Sequence, residues 1–440
     1  MEQSGRGAAM IHTSMYTSRE RTAVALQLAG AMLGVRWAPE AVAEAGATRL
    51  GHWPSWLDAL ARRIVAVHDA APGSEPTELA AIIEAFLAEC RAGPERVRFD
   101  WPVLPIESVD ALAAALELSD GQLAWLADVR GLERTVTAEK LRNYRYAAVP
   151  RRSGLPRVIE APKLRLKEVQ RWVLREILDP VPVHGAARGF TRGRSVVDHA
   201  RHHSGQHAVL RLDLADFFAS ISAARVFGIF RTAGYDPSVA HVLTGLTTNI
   251  VPHHVWQVIH GAAASAGIQP RFRLGRQLAT PHLPQGAPTS PALANLAAFR
   301  LDRRLSGLAV SLDLRYSRYA DDLAFSGRRI PRRAAHLGAA VAEIVRDEGF
   351  SLNADKTTLR TAAARQVVCG LVVNVAPAVP RAEYDRLKAI LHNAARHGPA
   401  SQGLVGREAH LRGRIAWVAS LSPARGAKLL RRFEAIDWRA

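Results

Sequence analysis

Cysteine is nearly missing from this 440-residue chain, which has two, Cys90 and Cys369. Two thiols exclude a disulfide framework and a Cys-rich zinc module, and their scarcity fits a reducing cytoplasm. Long apolar runs are missing too. The nearest is 22–35, TAVALQLAGAMLGV, which is too short to cross a bilayer and carries Gln27, so it reads as a buried helix and not as a membrane segment or signal. No repeat or long low-complexity tract stands out. Acidic residues run short in one part only. Residues 1–140 hold 13 Lys and Arg against 19 Asp and Glu, whereas 141–440 hold 45 against 21. A genome-wide compositional bias would act on both parts. The chain's formal net charge of +18 is thus the sum of an acidic first part and a strongly basic later part, and the basic part points to a polyanionic partner, most often nucleic acid.

With 48% hydrophobic and 22% charged residues, the chain is globular, and its length allows two to four domains. Residues 1–135 read as helical: PSWLDALARRIVAVHDA and ELAAIIEAFLAEC carry apolar residues at helical spacing around the loop APGSEPT. Two short helices meet at Ser119-Asp120-Gly121, and Trp53, Trp56 and Trp125 read as core. The pattern changes near residue 140. YRYAAVPRRSGLPRVIEAP alternates as a hairpin turning near Ser153-Gly154, and KLRLKEVQRWVLREILDPV is a basic amphipathic helix ended by Pro180. HAVLRLDLADFFASI is a strand entering a turn, and 222–282 is mostly helical. LPQGAPTSPALAN is a loop opening a helix, with Thr289 or Ser290 as N-cap and Pro291 at its first position. LDLRYSRYADDLAFSG is a hairpin, RAAHLGAAVAEIVRDEGF a helix, and LRTAAARQVVCGLVVN a strand pair. From Pro377 the chain is helical and basic. The order implies an α+β fold, a palm-like sheet with helices on one face, preceded by an α-helical N-terminal extension.

Asp321 and Asp322 stand side by side between Tyr316, Tyr319, Leu323 and Phe325. Asp is depleted in strands and adjacent carboxylates repel, so by itself the pair is turn chemistry. A second apolar strand, VLRLDL, also delivers a carboxylate, Asp213. If the two strands are sheet neighbours, three carboxylates converge at one edge. Such an edge suits two Mg²⁺, which prefer hard oxygen ligands and relieve the repulsion.

YADD within RYSRYADDLAFSG resembles the catalytic hairpin of reverse transcriptases. LRLDLADFFASI resembles that family's first metal-binding strand, and LPQGAPTSPALAN its template- and nucleotide-contacting loop. RVIEAPKLRLKEVQRWVLREIL, ARGFTRGRSV and GFSLNADKT with QVVCGLVVN resemble the bacterial retron-type branch. The resemblance covers roughly 140–440. It implies a right-hand polymerase with fingers and palm over 136–375 and a helical thumb over 376–440, with 1–135 of unassigned role. Two positions depart from the retron pattern: His199 where Asn is usual, and Cys369 in place of Thr.

The resemblance implies that Asp213, Asp321 and Asp322 bind two Mg²⁺, with Mn²⁺ as an alternative and Asp322 the more peripheral. Lys356 would protonate the departing pyrophosphate. Arg157 would reach the triphosphate, the turn at Asp216 would face it, and Phe218 would exclude a ribose 2′-hydroxyl. Gln285 would meet a template or nucleotide edge, beside Gly286, which permits close backbone approach to a ligand. Asn295 faces the site or simply packs. Arg151, Arg152, His203 and Lys388 would contact nucleic acid, with His199, His202 and His203 alike open to a reading as RNA contacts or structure. The implied partners are a structured non-coding RNA as template and primer, the RNA/DNA hybrid, dNTPs and an effector protein, with no membrane. The implied role is synthesis of an RNA-linked DNA in phage defence. Alternatives are another bacterial lineage (abortive-infection, diversity-generating or intron-type) and a catalytically silent RNA-binding scaffold. The sequence carries no maturase or endonuclease segment after residue 440, an expectation against the intron type.

Overall fold

The computed structural model describes residues 18–50, 53, 56–68, 70–71, 76–89, 101–150, 155–261 and 267–438. Cys90, Arg151, Arg152 and the expected turn at Ser153-Gly154 lie outside the described residues. The chain divides into two compact units. The first comprises 1–181 with 222–289, and the second 182–221 with 290–440.

The first unit opens with α1 (Ser18–Met32), α2 (Pro39–Leu50), α3 (Leu57–Val67) and α4 (Pro76–Glu89). Leu57, Leu60, Ala61 and Ile64 recur at helical spacing on α3 and are all buried. They join Leu28 and Met32 of α1, Val42 of α2 and Leu79 and Ile83 of α4 in one apolar cluster. Trp56 belongs to that cluster and Trp53 packs on it; Trp125 is part-buried. The unit continues through α5 (Val109–Ala115), α6 (Asp120–Leu126) and α7 (Leu132–Thr135) to β1 (Tyr144–Val149), β2 (Arg157–Pro162) and α8 (Leu164–Val173). Ser119 and Gln122 form the capping box that starts α6. β1 and β2 make the expected antiparallel ladder, from Tyr144 opposite Pro162 to Val149 opposite Arg157.

The chain then leaves for α9 (Val196–His202) and β3 (Ala208–Asp213) of the second unit. It returns for α10 (Ala223–Thr232), α11 (Pro237–Thr247), α12 (His253–Gly261) and α13 (Ile268–Leu278), so the helical expectation for 222–282 fits the described residues. The second unit resumes with α14 (Ser290–Ala297), α15 (Phe299–Ser311), β4 (Arg315–Tyr319), β5 (Asp322–Ser326), α16 (Ile330–Asp347), β6 (Thr358–Thr361), β7 (Val367–Val368) and β8 (Leu371–Val372).

Its sheet runs β4-β5-β3-β6, antiparallel throughout. The expected strand pair over 359–374 is therefore corrected. β6 pairs with β3, while β7 and β8 form a separate two-residue ladder. Helices on one face is corrected as well. Tyr316 reaches Asp302 of α15 from one face. On the other, Ala200 of α9 joins Val209, Ala324, Val368 and Leu371. A central strand as buried as β3 needs cover on both faces. The chain ends in α17 (Arg381–His397), α18 (Glu408–Leu421) and α19 (Pro423–Glu434), whose own apolar cluster centres on Leu387, Leu391, Leu411, Leu429 and Phe433.

Candidate active site

The second unit gathers six of the residues expected from sequence. Register does most of the work: β3 and β5 pair with Asp213 directly opposite Asp322, and Tyr319 of β4 pairs with Asp322. Ala320 and Asp321 make the connection, so Asp321 sits in the turn and Asp322 opens β5. Leu214 N donates to Asp321 O at 2.9 Å, fixing the turn beside the end of β3. Ala320 holds φ 55°, a left-handed conformation that disfavours a side-chain-bearing residue.

The three carboxylates are not equivalent. Asp213 takes the Lys356 ammonium on both oxygens, at 2.8 and 2.9 Å. Asp322 accepts from Arg211 Nη2 at 2.8 Å and from the Cys369 thiol at 3.5 Å. Among the described residues Asp321 has no basic group hydrogen-bonded to it, though the charge of Lys356 reaches it. Burial, then the charges of Asp213 and Asp322, push its carboxyl above the usual carboxylate range. Burial also pushes the Cys369 thiol up, with Asp322 the next cause, so it acts as a protonated donor. Among the described residues no three His, Cys, Asp or Glu groups already stand as a metal cage. The donor set still fits a divalent cation: three carboxylates at one sheet edge, with Asp321 bearing the others' repulsion.

Phe218 is half-buried, next to core-packed Phe217, with ring centroids 5.7 Å apart. Asp216 holds φ 48° at the turn after β3. Phe190, unremarked in the sequence, is 47% exposed with φ 58° and lies 6.3 Å from both the Phe218 and Tyr319 rings. Three aromatics therefore border the carboxylate edge. The signal available was an aromatic standing in a Gly-rich stretch, GFTRG.

Beneath the turn lies a residue that sequence reasoning missed. Arg318 is fully buried and paired with Asp302 through Nε at 2.9 Å and Nη2 at 2.6 Å. Its Nη1 donates to Asn295 Oδ1 and to Ala320 O, both at 3.0 Å. Asn295 in turn donates to Gly189 O at 2.9 Å, so its role is packing and support. A Cβ on Gly189 would come 2.8 Å from Ala320 N, so only glycine fits against the turn there. Strand alternation could have found Arg318, since it shares a face with Tyr316. The same rule puts Arg211 on the Asp213 face.

His203 is corrected. It is fully buried, with Nδ1 2.7 Å from Ser326 Oγ and Nε2 2.8 Å from Ser317 Oγ, which also meets His199 Nδ1 at 2.9 Å. Burial holds His203 well below the usual histidine range and His199 at about 3, so both are neutral props under the sheet and not RNA contacts.

The first unit holds Arg157, Gln285 and Gly286. Arg157 opens β2 and is exposed. Gln285 O accepts from Glu160 N at 2.9 Å, and Gly286 holds φ 141° where a Cβ would lie 2.7 Å from Glu160 O. The close approach that this glycine permits is thus to the β2 backbone itself. Glu160 is buried and held by His282 at 3.0 Å and Asn249 at 2.7 Å. Lys388 is exposed on α17 of the second unit.

Comparison with known proteins follows the same lines. The family model "Reverse transcriptase (RNA-dependent DNA polymerase)" matches residues 149–384. The chain is 38% identical over 341 residues to the retron Mx162 reverse transcriptase of Myxococcus xanthus, covering 74% of this chain and 66% of that protein. It is 39% identical to the retron Mx65 reverse transcriptase of the same organism, covering 76% and 73%. It is 33% identical to the retron Ec86 reverse transcriptase of Escherichia coli, covering 54% and 65%. A solved foamy viral protease-reverse transcriptase in complex with double-stranded DNA aligns at 14% identity over 72% of this chain and 46% of its own. The TM-score is 0.30, too slight a likeness to carry geometry across.

Proposed function

The chain belongs to the reverse transcriptase family, in its bacterial retron-type branch, and from that premise we propose that it is an RNA-directed DNA polymerase copying a structured non-coding RNA into DNA. The observation that carries this reading is the β3–β5 register, which sets Asp213 opposite Asp322 with Asp321 in the adjoining turn.

Asp213 and Asp321 would hold two Mg²⁺, or Mn²⁺, with Asp322 supporting, the division of roles that the family resemblance implies. Such ions stabilise the attacking and leaving oxygens of phosphoryl transfer. The chain's own groups do the rest. Lys356 neutralises Asp213 and would give a proton to pyrophosphate. Phe218, steadied by Phe217 and Phe190, closes the space a 2′-hydroxyl needs. Arg157, with Arg151 and Arg152, serves the triphosphate and template, and Gln285 a nucleotide edge. Lys388 on basic α17 suits the backbone of an RNA/DNA hybrid, which is read by shape. The intact carboxylate set speaks against a silent scaffold. The product remains joined to its RNA, and the setting is cytoplasmic phage defence with an effector protein. The three-part division at residues 135 and 375 belongs to this proposal as well. The separate cluster of α17–α19 supports its last boundary.

Asp321→Ala with Asp322→Ala abolishes divalent-dependent dNTP incorporation and keeps RNA binding. Surviving synthesis refutes the site. Nucleic acid extracted from purified protein, treated with RNase or DNase and sequenced, yields an RNA–DNA chimera from wild type and RNA alone from the variant. Plating of phage on cells carrying each form tests the defence role.

A further inference from the structure

An open groove of about 640 Å³ runs between β1 and α12 in the first unit, apart from every residue assigned above. Arg142 lines it at only 8% exposure. The guanidinium meets His254 Nε2 at 3.3 Å and lies 5.6 Å from the Tyr146 ring centroid, and its Nε has no acceptor. Among the described residues Arg142 forms no ion pair. The charge of Glu133 reaches it, yet that carboxylate is already taken by Asn143 N at 2.6 Å and Tyr146 OH at 2.7 Å. A guanidinium so enclosed is costly unless an anion completes it. Arg145 adds a second cation, 72% exposed and only loosely paired with Glu139 at 3.4 Å. Val258, 77% exposed, and Val255 supply an apolar wall.

We propose that this groove binds a single RNA strand, with Arg142 and Arg145 on its phosphates and the Val255–Val258 wall against its sugars and bases. The proposal rests on the polymerase reading only for the choice of RNA as the occupant. The chemistry itself calls for a phosphate diester carrying an apolar face. The groove provides a buried cation that needs an anion, an exposed second cation for salt-sensitive contact, and uncovered aliphatic surface between them. A membrane surface would find no broad apolar face here, and a protein acid would leave the length of the groove unused.

The test uses the full chain. A short single-stranded RNA containing 4-thiouridine is bound, irradiated and mapped by mass spectrometry, with anisotropy titrations at several salt concentrations. Cross-links are expected within 142–148 or 253–259. Val258→Asp and Arg145→Glu change exposed side chains and so spare the fold. Each lowers RNA affinity about tenfold, and Arg145→Glu also flattens the salt slope by about 1. Incorporation of dNTP on a pre-annealed short RNA/DNA primer–template stays at the wild-type rate in both variants. Cross-links confined to other segments, with affinity unchanged in both variants, overturn the proposal. Displacement of the RNA from the groove by an equal concentration of dNTP overturns it too, since the ligand is then a mononucleotide. Groove cross-links in a wild-type protein that incorporates no dNTP uphold the groove and count against the polymerase reading alone.

Discussion

Asp302 is a fully buried and Asp321 a half-buried carboxylate of one unit, and the fold treats them in opposite ways. Asp302 is fully buried and fully answered: Tyr316 OH and Arg318 Nε donate to one oxygen, and Arg318 Nη2 to the other. Among the described residues Asp321 has two carboxylates for company and no guanidinium hydrogen-bonded to it. A buried acid that is completed by the chain belongs to the architecture. One left incomplete, at the cost of a raised proton affinity, is waiting for something the chain does not supply. Arg318 joins the two, since the same guanidinium that completes Asp302 also holds Ala320 O beside Asp321.

The largest test of this contrast removes Arg318. Arg318→Met leaves Asp302 buried without its counter-charge, with only the Tyr316 hydroxyl still donating to it, and unfolding measured in denaturant loses about 3–5 kcal/mol. Arg318→Met with Asp302→Leu recovers most of that stability. It does not recover dNTP incorporation, because the bond to Ala320 O stays broken. Full activity in the double variant would show that the turn needs no such support.

A middle-sized effect separates the props under the sheet from the carboxylates at its edge. His199 lies at about 3, below its ordinary 6.5, chiefly through burial and next through His202. The stability it contributes is whole above pH 6.5 and is lost as pH falls toward 3, at about 1.4 kcal/mol per pH unit. Thermal melting from pH 7.5 to 4.5 should therefore fall steeply, and less steeply in His199→Phe. An equal slope would assign the acid sensitivity elsewhere.

The smallest effect has the opposite sign. The carboxyl of Asp321 is raised, so it favours the folded state only at low pH, and that contribution is lost as pH rises through its folded value. Asp321→Asn should raise stability at pH 7 without divalent ions by about 0.5–2 kcal/mol while ending catalysis. Mn²⁺ should then stabilise the wild type and leave the variant where it was. A destabilised variant would mean that Asp321 is held by bonds and not merely tolerated.

What was legible follows from range. The Asp321-Asp322 pair announces itself within a few residues, and apolar strands on both sides of the problem supply Asp213. Helices with local periodicity, such as α3, were legible for the same reason. His203 was misassigned because nothing local says that Ser317 and Ser326, more than a hundred residues on, will close over it. The partner of β6 was misjudged because its nearest strand in sequence, β7, is too short to hold it, while β3 lies far upstream. Arg318 was hidden for a simpler reason. A charge inside a motif reads as surface until Asp302 is seen to meet it. The two units were equally hidden, since the chain crosses between them after 181, 221 and 289 without a change of composition.

The placement of β3 has a consequence for how the protein is made. Four of the six residues of this strand are apolar, yet its neighbours β5 and β6 lie about a hundred residues or more downstream. At ribosomal speed β3 waits roughly 5–20 s for the first of them. The α1–α4 cluster needs nothing beyond residue 89 and closes long before. During that interval a nascent chain carries a finished helical head and a naked, adhesive strand. Its yield in the cell is then set as much by what shelters residues 208–213 during translation as by the stability of the finished fold.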